Sequence, residues 1–255
     1  MSPPDIFPGR ERKEALSKNI YPYLGGVFEA TGSLRLDLRP SGNSFLFRPR
    51  WEFVDNVPLA VSRLSQLVPG SVKPIKRHAN EYRWQAEPEV ISTFWPLIEP
   101  YAPSRQATID VFTLLREKIN FPVNYHQAQR INQIIDDTLA SSPLPSPEIY
   151  QPLVANPYFV AGVFDARANI INHNPDKRIR KPEMAIYLDN VPLLTALAGK
   201  FAGSVSPNPQ QTSYRYVPHV NTTSDFLTFI APCVQLKPEL LHALMEVYPA
   251  RPSSA

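Results

Sequence analysis

The chain has 255 residues, 43% of them hydrophobic and 19% charged, with a formal net charge of +3. That balance fits a globular protein large enough for one big core or two domains. No apolar run approaches the roughly 20 residues that cross a bilayer. A single cysteine excludes an intramolecular disulfide and any multi-cysteine zinc site, and so small a charge assigns no nucleic-acid role by itself.

The opening Met1-Ser2-Pro3-Pro4-Asp5 lacks a basic region followed by an apolar stretch, so it does not read as a secretory signal. Asp5, Glu11 and Glu14 argue against a mitochondrial presequence. A polar stretch before Tyr21-Pro22 predicts a helix starting near Tyr21. Gly25 and Gly26 inside it cost about 1 kcal/mol each relative to Ala, which is tolerable where another backbone must come close. Residues 33–39 alternate polar and apolar, 40–43 form a turn, and 45–53 return as a second strand. Asp55 is expected to cap a helix to Leu67 with Pro58 in its first turn. Residues 70–76 and 81–86 read as a second hairpin, 87–98 and 105–118 as helices.

Residues 121–157 hold an amphipathic piece at 127–139 and then Ser141-Ser142-Pro143-Leu144-Pro145-Ser146-Pro147, whose composition predicts an extended linker outside the core. The earlier order then returns. Residues 169–173 and 179–188 form a hairpin, 190–201 a helix, 204–207 and 212–218 a hairpin, 222–232 and 237–248 helices. Cys233, between Ala231-Pro232 and Val234, reads as a buried packing residue.

The chain is in fact a tandem duplication. Tyr23-Leu24-Gly25-Gly26-Val27-Phe28-Glu29-Ala30-Thr31-Gly32-Ser33 recurs 136 positions on as Phe159-Val160-Ala161-Gly162-Val163-Phe164-Asp165-Ala166-Arg167-Ala168-Asn169. Asp55-Asn56-Val57-Pro58-Leu59 returns as Asp189-Asn190-Val191-Pro192-Leu193. Gly70-Ser71-Val72 returns as Gly203-Ser204-Val205, and Tyr82-Arg83-Trp84 as Tyr214-Arg215-Tyr216. The matches keep their order. Two helices with small faces, one per copy, are expected to pack against each other and make one pseudo-symmetric body.

This arrangement resembles the single-chain LAGLIDADG homing endonucleases. Residues 24–32 and 160–168 are similar to the family's two signatures, and Pro100-Tyr101-Ala102-Pro103-Ser104-Arg105 and Pro232-Cys233-Val234-Gln235-Leu236-Lys237 to the segment before each unit's last helix. The resemblance implies an α+β fold of two αββαββα repeats, 17–118 and 157–250, joined through a linker at 119–156. A central helix pair would unite antiparallel four-stranded β-saddles in a monomeric pseudo-dimer. In the family the saddle lies in a DNA major groove, which admits a two-stranded ribbon. The implied nucleic-acid contacts are Arg35, Arg39, Arg48 and Arg50 on the first hairpin, with Asp37 among them. Asn172, His173, Arg178 and Arg180 are the counterparts in the second copy, and Lys73, Lys76, Arg83 and Arg215 lie on the outer hairpins. Arg105 and Lys237 occupy positions that neighbour the cut phosphates in the family.

The resemblance fails where cleavage is done. The family requires an acid before the closing glycine of each signature, and the two acids hold divalent metal ions. Here those slots hold Thr31 and Arg167, and the second closing glycine is Ala168. Glu29 and Asp165 lie two positions earlier, rotated by roughly 200° around the helix and so away from the axis. They are expected to face flanking structure or pair with Arg167 or another basic neighbour. The five histidines show no metal-ligand spacing. Asp55 and Asp189, though duplicated, are explained as helix N-caps.

The expectation is a non-catalytic nucleic-acid-binding protein without metal or other cofactor, RNA preferred to DNA and no membrane involved. Members of the family serve as intron-splicing helpers, and a structural place in an organellar ribonucleoprotein, mitochondrial first, extends that theme. The modest charge and 29 prolines suit an assembly as well as DNA binding alone. The alternatives are an active Mg²⁺-dependent endonuclease making site-specific double-strand breaks, and a protein-interaction scaffold without nucleic-acid contact.

Overall fold

The structure, a computed structural model, describes residues 9–31, 33–75, 80–86, 88–108, 110, 122–141, 143–171, 182–209 and 211–249. Helix α1 (Gly9–Thr31) leads into strands β1 (Ser33–Ser41) and β2 (Ser44–Asp55), helix α2 (Pro58–Leu67), strands β3 (Gly70–Pro74) and β4 (Tyr82–Ala86), and helix α3 (Pro88–Ile98). Two 3-10 turns, Glu99–Tyr101 and Pro103–Arg105, follow α3. The predicted helix at 105–118 lies largely outside the described residues. A short strand β5 (Pro122–Val123), helix α4 (Tyr125–Ser141) and helix α5 (Pro147–Val154) then lead to the second copy. That copy comprises α6 (Pro157–Arg167), β6 (Ala168–Ile171), β7 (Glu183–Leu188), α7 (Val191–Phe201), β8 (Gly203–Pro207), β9 (Tyr214–Pro218), α8 (Thr223–Ile230) and α9 (Pro238–Val247).

The sheets are antiparallel, ordered β1-β2-β4-β3 and β6-β7-β9-β8, so the duplication is repeated in topology. The first carries a fifth strand, since Phe45 and Leu46 of β2 also pair with β5. The four strands expected of each unit are therefore exceeded on one side.

Helices α1 and α6 form the seam. A methyl group on Gly26 would lie 2.1 Å from Phe159 O, and one on Gly162 would lie 2.1 Å from Tyr23 O. Each glycine thus receives the other helix's backbone. On either side of the seam a phenylalanine at equivalent positions anchors the core. Phe28 meets Trp51 and Trp95 edge to face at 5.5 and 4.6 Å, and Trp51 meets Trp84 at 5.1 Å. Phe164 packs on Phe226, which in turn contacts Phe201 and Tyr216. Such edge-on and tilted aromatic contacts add to the burial of large apolar surfaces.

Three sequence expectations are corrected. Helix α1 begins at Gly9, not near Tyr21, so Pro22 sits inside it and removes one amide donor from the helix ladder. The segment before the second copy is not wholly an extended linker. Pro147 opens α5, whose Tyr150 and Val154 are 0% and 1% exposed and join the main core. The helix caps are also reassigned: α7 is capped by Asn190, whose side chain accepts from Leu193 N, while Asp189 is exposed. Val57 occupies the cap of α2, and Asp55 instead accepts from Val57 N at 2.8 Å.

Candidate nucleic-acid interface

β-Strand alternation divides the first sheet into two chemistries. Trp51, Phe53, Trp84 and Ala86 are buried on the side of the helices. Arg50, Glu52, Val54, Arg83 and Gln85 occupy the intervening positions. The register sets Glu52 beside Gln85 and Gln85 beside Ser71, then Val54 beside Arg83 and Arg83 beside Lys73. Glu52 organises the cations: Arg50 Nε lies 2.6 Å and Arg83 Nη1 3.3 Å from its Oε1. Arg50 Nη2 also donates to Gln85 Oε1 at 3.5 Å. Arg50, Ser71, Lys73, Arg83 and Gln85, with Pro74 and Ile75, line a shallow hollow of about 280 Å³. Its donors are positioned for anionic or hydrogen-bonding groups, and long side chains on such a ribbon are of a length to reach base edges and phosphates.

Of the residues singled out in the sequence, Arg50, Lys73 and Arg83 are brought together in this hollow. Arg35 and Arg39 belong to β1 and Arg48 to β2, with Arg35 opposite Arg50 and Asp37 opposite Arg48 in the backbone register. The side chains of Arg35, Asp37, Arg39 and Arg48, and all of Lys76, Asn172, His173, Arg178 and Arg180, lie outside the described residues. Arg215 is on the corresponding face of the second sheet, where its Nε donates to Ser206 Oγ at 3.1 Å. Lys237 is in neither place. It is 6% exposed and its Nζ lies 2.7 Å from Asp55 Oδ2, so this cation is spent on an internal ion pair across the two repeats. Ser71, Gln85 and Glu52 were missed in the sequence, although strand alternation from Arg83 and Arg50 would have placed them on this face.

The ends of α1 and α6 are where the resemblance sets metal chemistry. Thr31 Oγ1 donates to Val27 O at 2.8 Å, one turn back in its own helix. Arg167 Nε donates to Ala30 O at 3.3 Å across the seam. Arg167 is exposed in surface terms, yet crowding by protein atoms lowers its pKa, against the pull of Asp189 and Asp55 and with a push from Arg105. It remains a cation at physiological pH.

Glu29 and Asp165 face away from this end, as their spacing predicts, and neither pairs with Arg167 among the described residues. Asp165 is fully buried. It accepts from Tyr23 Oη at 2.7 Å and from the consecutive backbone amides of Gln235, Leu236 and Lys237 at 2.7, 2.9 and 2.8 Å. Glu29, 1% exposed, plays the equivalent part in the first repeat. Its Oε1 accepts from Ser104 N at 3.2 Å, Asn190 Nδ2 at 2.8 Å and Tyr150 Oη. Burial raises the pKa of both carboxyls, while these donors pull the other way. Tyr150 and Asn190 were not recognised in the sequence as partners of Glu29; the repeat of Asp-Asn-Val-Pro-Leu was the available signal for Asn190.

A divalent cation does not fit the residues present. Hard cations need oxygen ligands, chiefly carboxylates. At the seam's end there is a hydroxyl turned to its own helix and a guanidinium, and Glu29 and Asp165 are tied inward. Among the described residues, no three His, Cys, Asp or Glu side chains gather into a metal-binding group.

Solved structures that match this architecture include LAGLIDADG homing endonucleases. I-SmaMI bound to an uncleaved DNA target with calcium ions matches at a TM-score of 0.61 and 13% identity, covering 89% of this chain and 89% of that one. I-AabMI bound to uncleaved DNA gives the same TM-score, identity and coverages. I-GzeII in complex with its DNA target matches at 0.51 and 12% identity, covering 91% of this chain and 84% of that one. No family model matches the sequence, and no curated protein matches it. The chain has the LAGLIDADG homing endonuclease fold.

Proposed function

We propose that this chain is a nucleic-acid-binding protein that keeps the saddle of a homing endonuclease and no longer cuts. The observation that carries the reading is the hollow on the first sheet, where Arg50, Arg83 and Lys73 stand together around Glu52 and Gln85. Such a face gains affinity by neutralising phosphates. Loss of cleavage is supported by Thr31 and Arg167 at the seam and by the structural engagement of Glu29 and Asp165.

The finer reading is that the partner is RNA, held through phosphates and shape, within an organellar ribonucleoprotein and foremost a mitochondrial one. Once cleavage is lost, a duplex-shaped basic saddle needs no base code to remain useful. The DNA partners of the structural neighbours favour DNA as the second ligand.

The test is equilibrium binding of the purified protein to a folded RNA and to duplex DNA across a salt series, with a nicking assay on supercoiled DNA in Mg²⁺ or Mn²⁺. Salt-sensitive binding without strand breaks is expected. Absence of binding to both ligands at low salt would leave a protein-interaction scaffold. Cleavage lost on changing Glu29 or Asp165 would instead identify an active endonuclease.

A further inference from the structure

We infer that Arg167 and Arg105 form a phosphate-binding pair at the end of the central helices, which grips one phosphodiester without a divalent cation. The inference rests on the nucleic-acid reading above and specifies how the middle of the saddle meets its ligand. The geometry starts from α1, whose last turn presents carbonyl oxygens without helical partners. Two guanidiniums take consecutive ones. Arg105 Nη2 donates to Glu29 O at 3.1 Å, and Arg167 Nε donates to Ala30 O at 3.3 Å. Neighbouring carbonyls on one helix turn bring the two side chains to the same end of the seam.

Helix capping accounts for one nitrogen of each guanidinium, and a guanidinium carries five N–H donors in a planar fork. Neither arginine has a carboxylate within 4.0 Å among the described residues. Lys237 already holds Asp55 at 2.7 Å, and Glu29 and Asp165 are turned inward. Two like charges are thus set close together, and Asp189 and Asp55 act on Arg167 only from beyond ion-pair distance. Burial lowers the Arg167 pKa most, Asp189 and Asp55 oppose that shift, and repulsion from Arg105 adds the smallest part. An anion entering between them relieves that repulsion, and arginine forks match phosphate oxygens in two-point contacts. The carbonyls fix the guanidiniums in advance, so little side-chain freedom remains to be lost on binding.

The experiment uses the whole chain with a labelled RNA hairpin and a labelled duplex DNA, each titrated across a salt series in EDTA and again in Mg²⁺. The wild-type protein is expected to bind at least as tightly in EDTA as in Mg²⁺. Arg167→Gln should weaken binding about tenfold and lower the salt slope by about one, while Arg167→Lys retains the slope. Thermal melting of each variant guards against unfolding, and Arg105→Gln provides the second variant should Arg167→Gln fail to fold. A folded Arg167→Gln protein with wild-type affinity and slope would reduce the two arginines to helix caps and overturn the inference while leaving the binding function intact. So would wild-type binding that requires Mg²⁺. Failure of the wild-type protein to bind either probe would overturn both readings.

Discussion

Tyr23 of the first repeat donates its phenol hydroxyl to Asp165 of the second at 2.7 Å, in a region where both residues are fully buried. The bond crosses the seam, and the same carboxylate gathers three amides ahead of α9. Asp165 therefore ties α1, α6 and the last helix together. Tyr23→Phe removes one charged hydrogen bond and should cost about 2 kcal/mol. Asp165→Ala leaves three amides and the phenol without their acceptor and should cost more. Urea unfolding of both variants checks the order; equal stability of the two would refute the assignment.

The seam's close approach makes a second prediction. Gly26→Ala places a methyl group against Phe159 O, so the helices must separate and about 3 kcal/mol of stability should be lost. Gly199, inside α7, is the opposite case: the nearest atom to an added methyl group is Gln151 Nε2 at 3.8 Å. Gly199→Ala should stabilise by about 1 kcal/mol through helix propensity. Paired thermal melts decide, and a tolerated Gly26→Ala would argue against backbone contact at the seam.

These contrasts show where the sequence was informative. Strand alternation and the ordered repeat placed most of the described strands and helices and the packing of the two small-faced helices, because each is a local pattern written twice. Long-range pairings left no local mark. Tyr150 lies 121 positions from its partner Glu29 and follows a Pro/Ser-rich stretch that reads as linker. Lys237 looks like any solvated lysine until the fold buries it beside Asp55. Pro22 looks like the start of a helix, yet the chain enters that helix earlier. The inward turn of Glu29 and Asp165 could be read from helical rotation alone; the donors that receive them could not.

The Lys237–Asp55 pair joins the repeats in a desolvated place, with the two side chains 7% and 6% exposed. Lys237→Met should cost about 3 kcal/mol, because Asp55 would remain buried as an unpaired charge. Asp55→Asn in that background should restore part of the loss, since the amide keeps an acceptor for Val57 N without the charge. A double-mutant cycle measures the coupling, and additive losses would show that the pair is not a unit.

Glu29 gives the stability a pH dependence. Its pKa is raised by burial, so above the unfolded value of 4.5 the folded chain retains a proton that the unfolded chain has released. Stability therefore falls as pH rises from 4.5 through the raised folded value. Glu29→Gln keeps an acceptor for Ser104, Asn190 and Tyr150 and removes the ionisation. The variant should lose this part of the pH slope and be at least as stable as wild type at neutral pH. Denaturant unfolding at a series of pH values reads it, and a slope unchanged by the substitution would contradict the account.

Glu52 separates an interface from a structural cluster. Its carboxylate lies between Arg50 and Arg83 and offsets one positive charge on the sheet face. Glu52→Gln preserves size and an acceptor while removing that offset. If this face holds phosphates, affinity at low salt should rise and the dependence of log affinity on log salt should steepen by about one, because one further cation is available for counterion release. If the cluster only staples β2 to β4, the substitution should lower the melting temperature and leave the salt slope where it was. Titrations of the same RNA and DNA with both proteins distinguish the cases, and the second pattern would move the nucleic-acid contact away from Arg50 and Arg83.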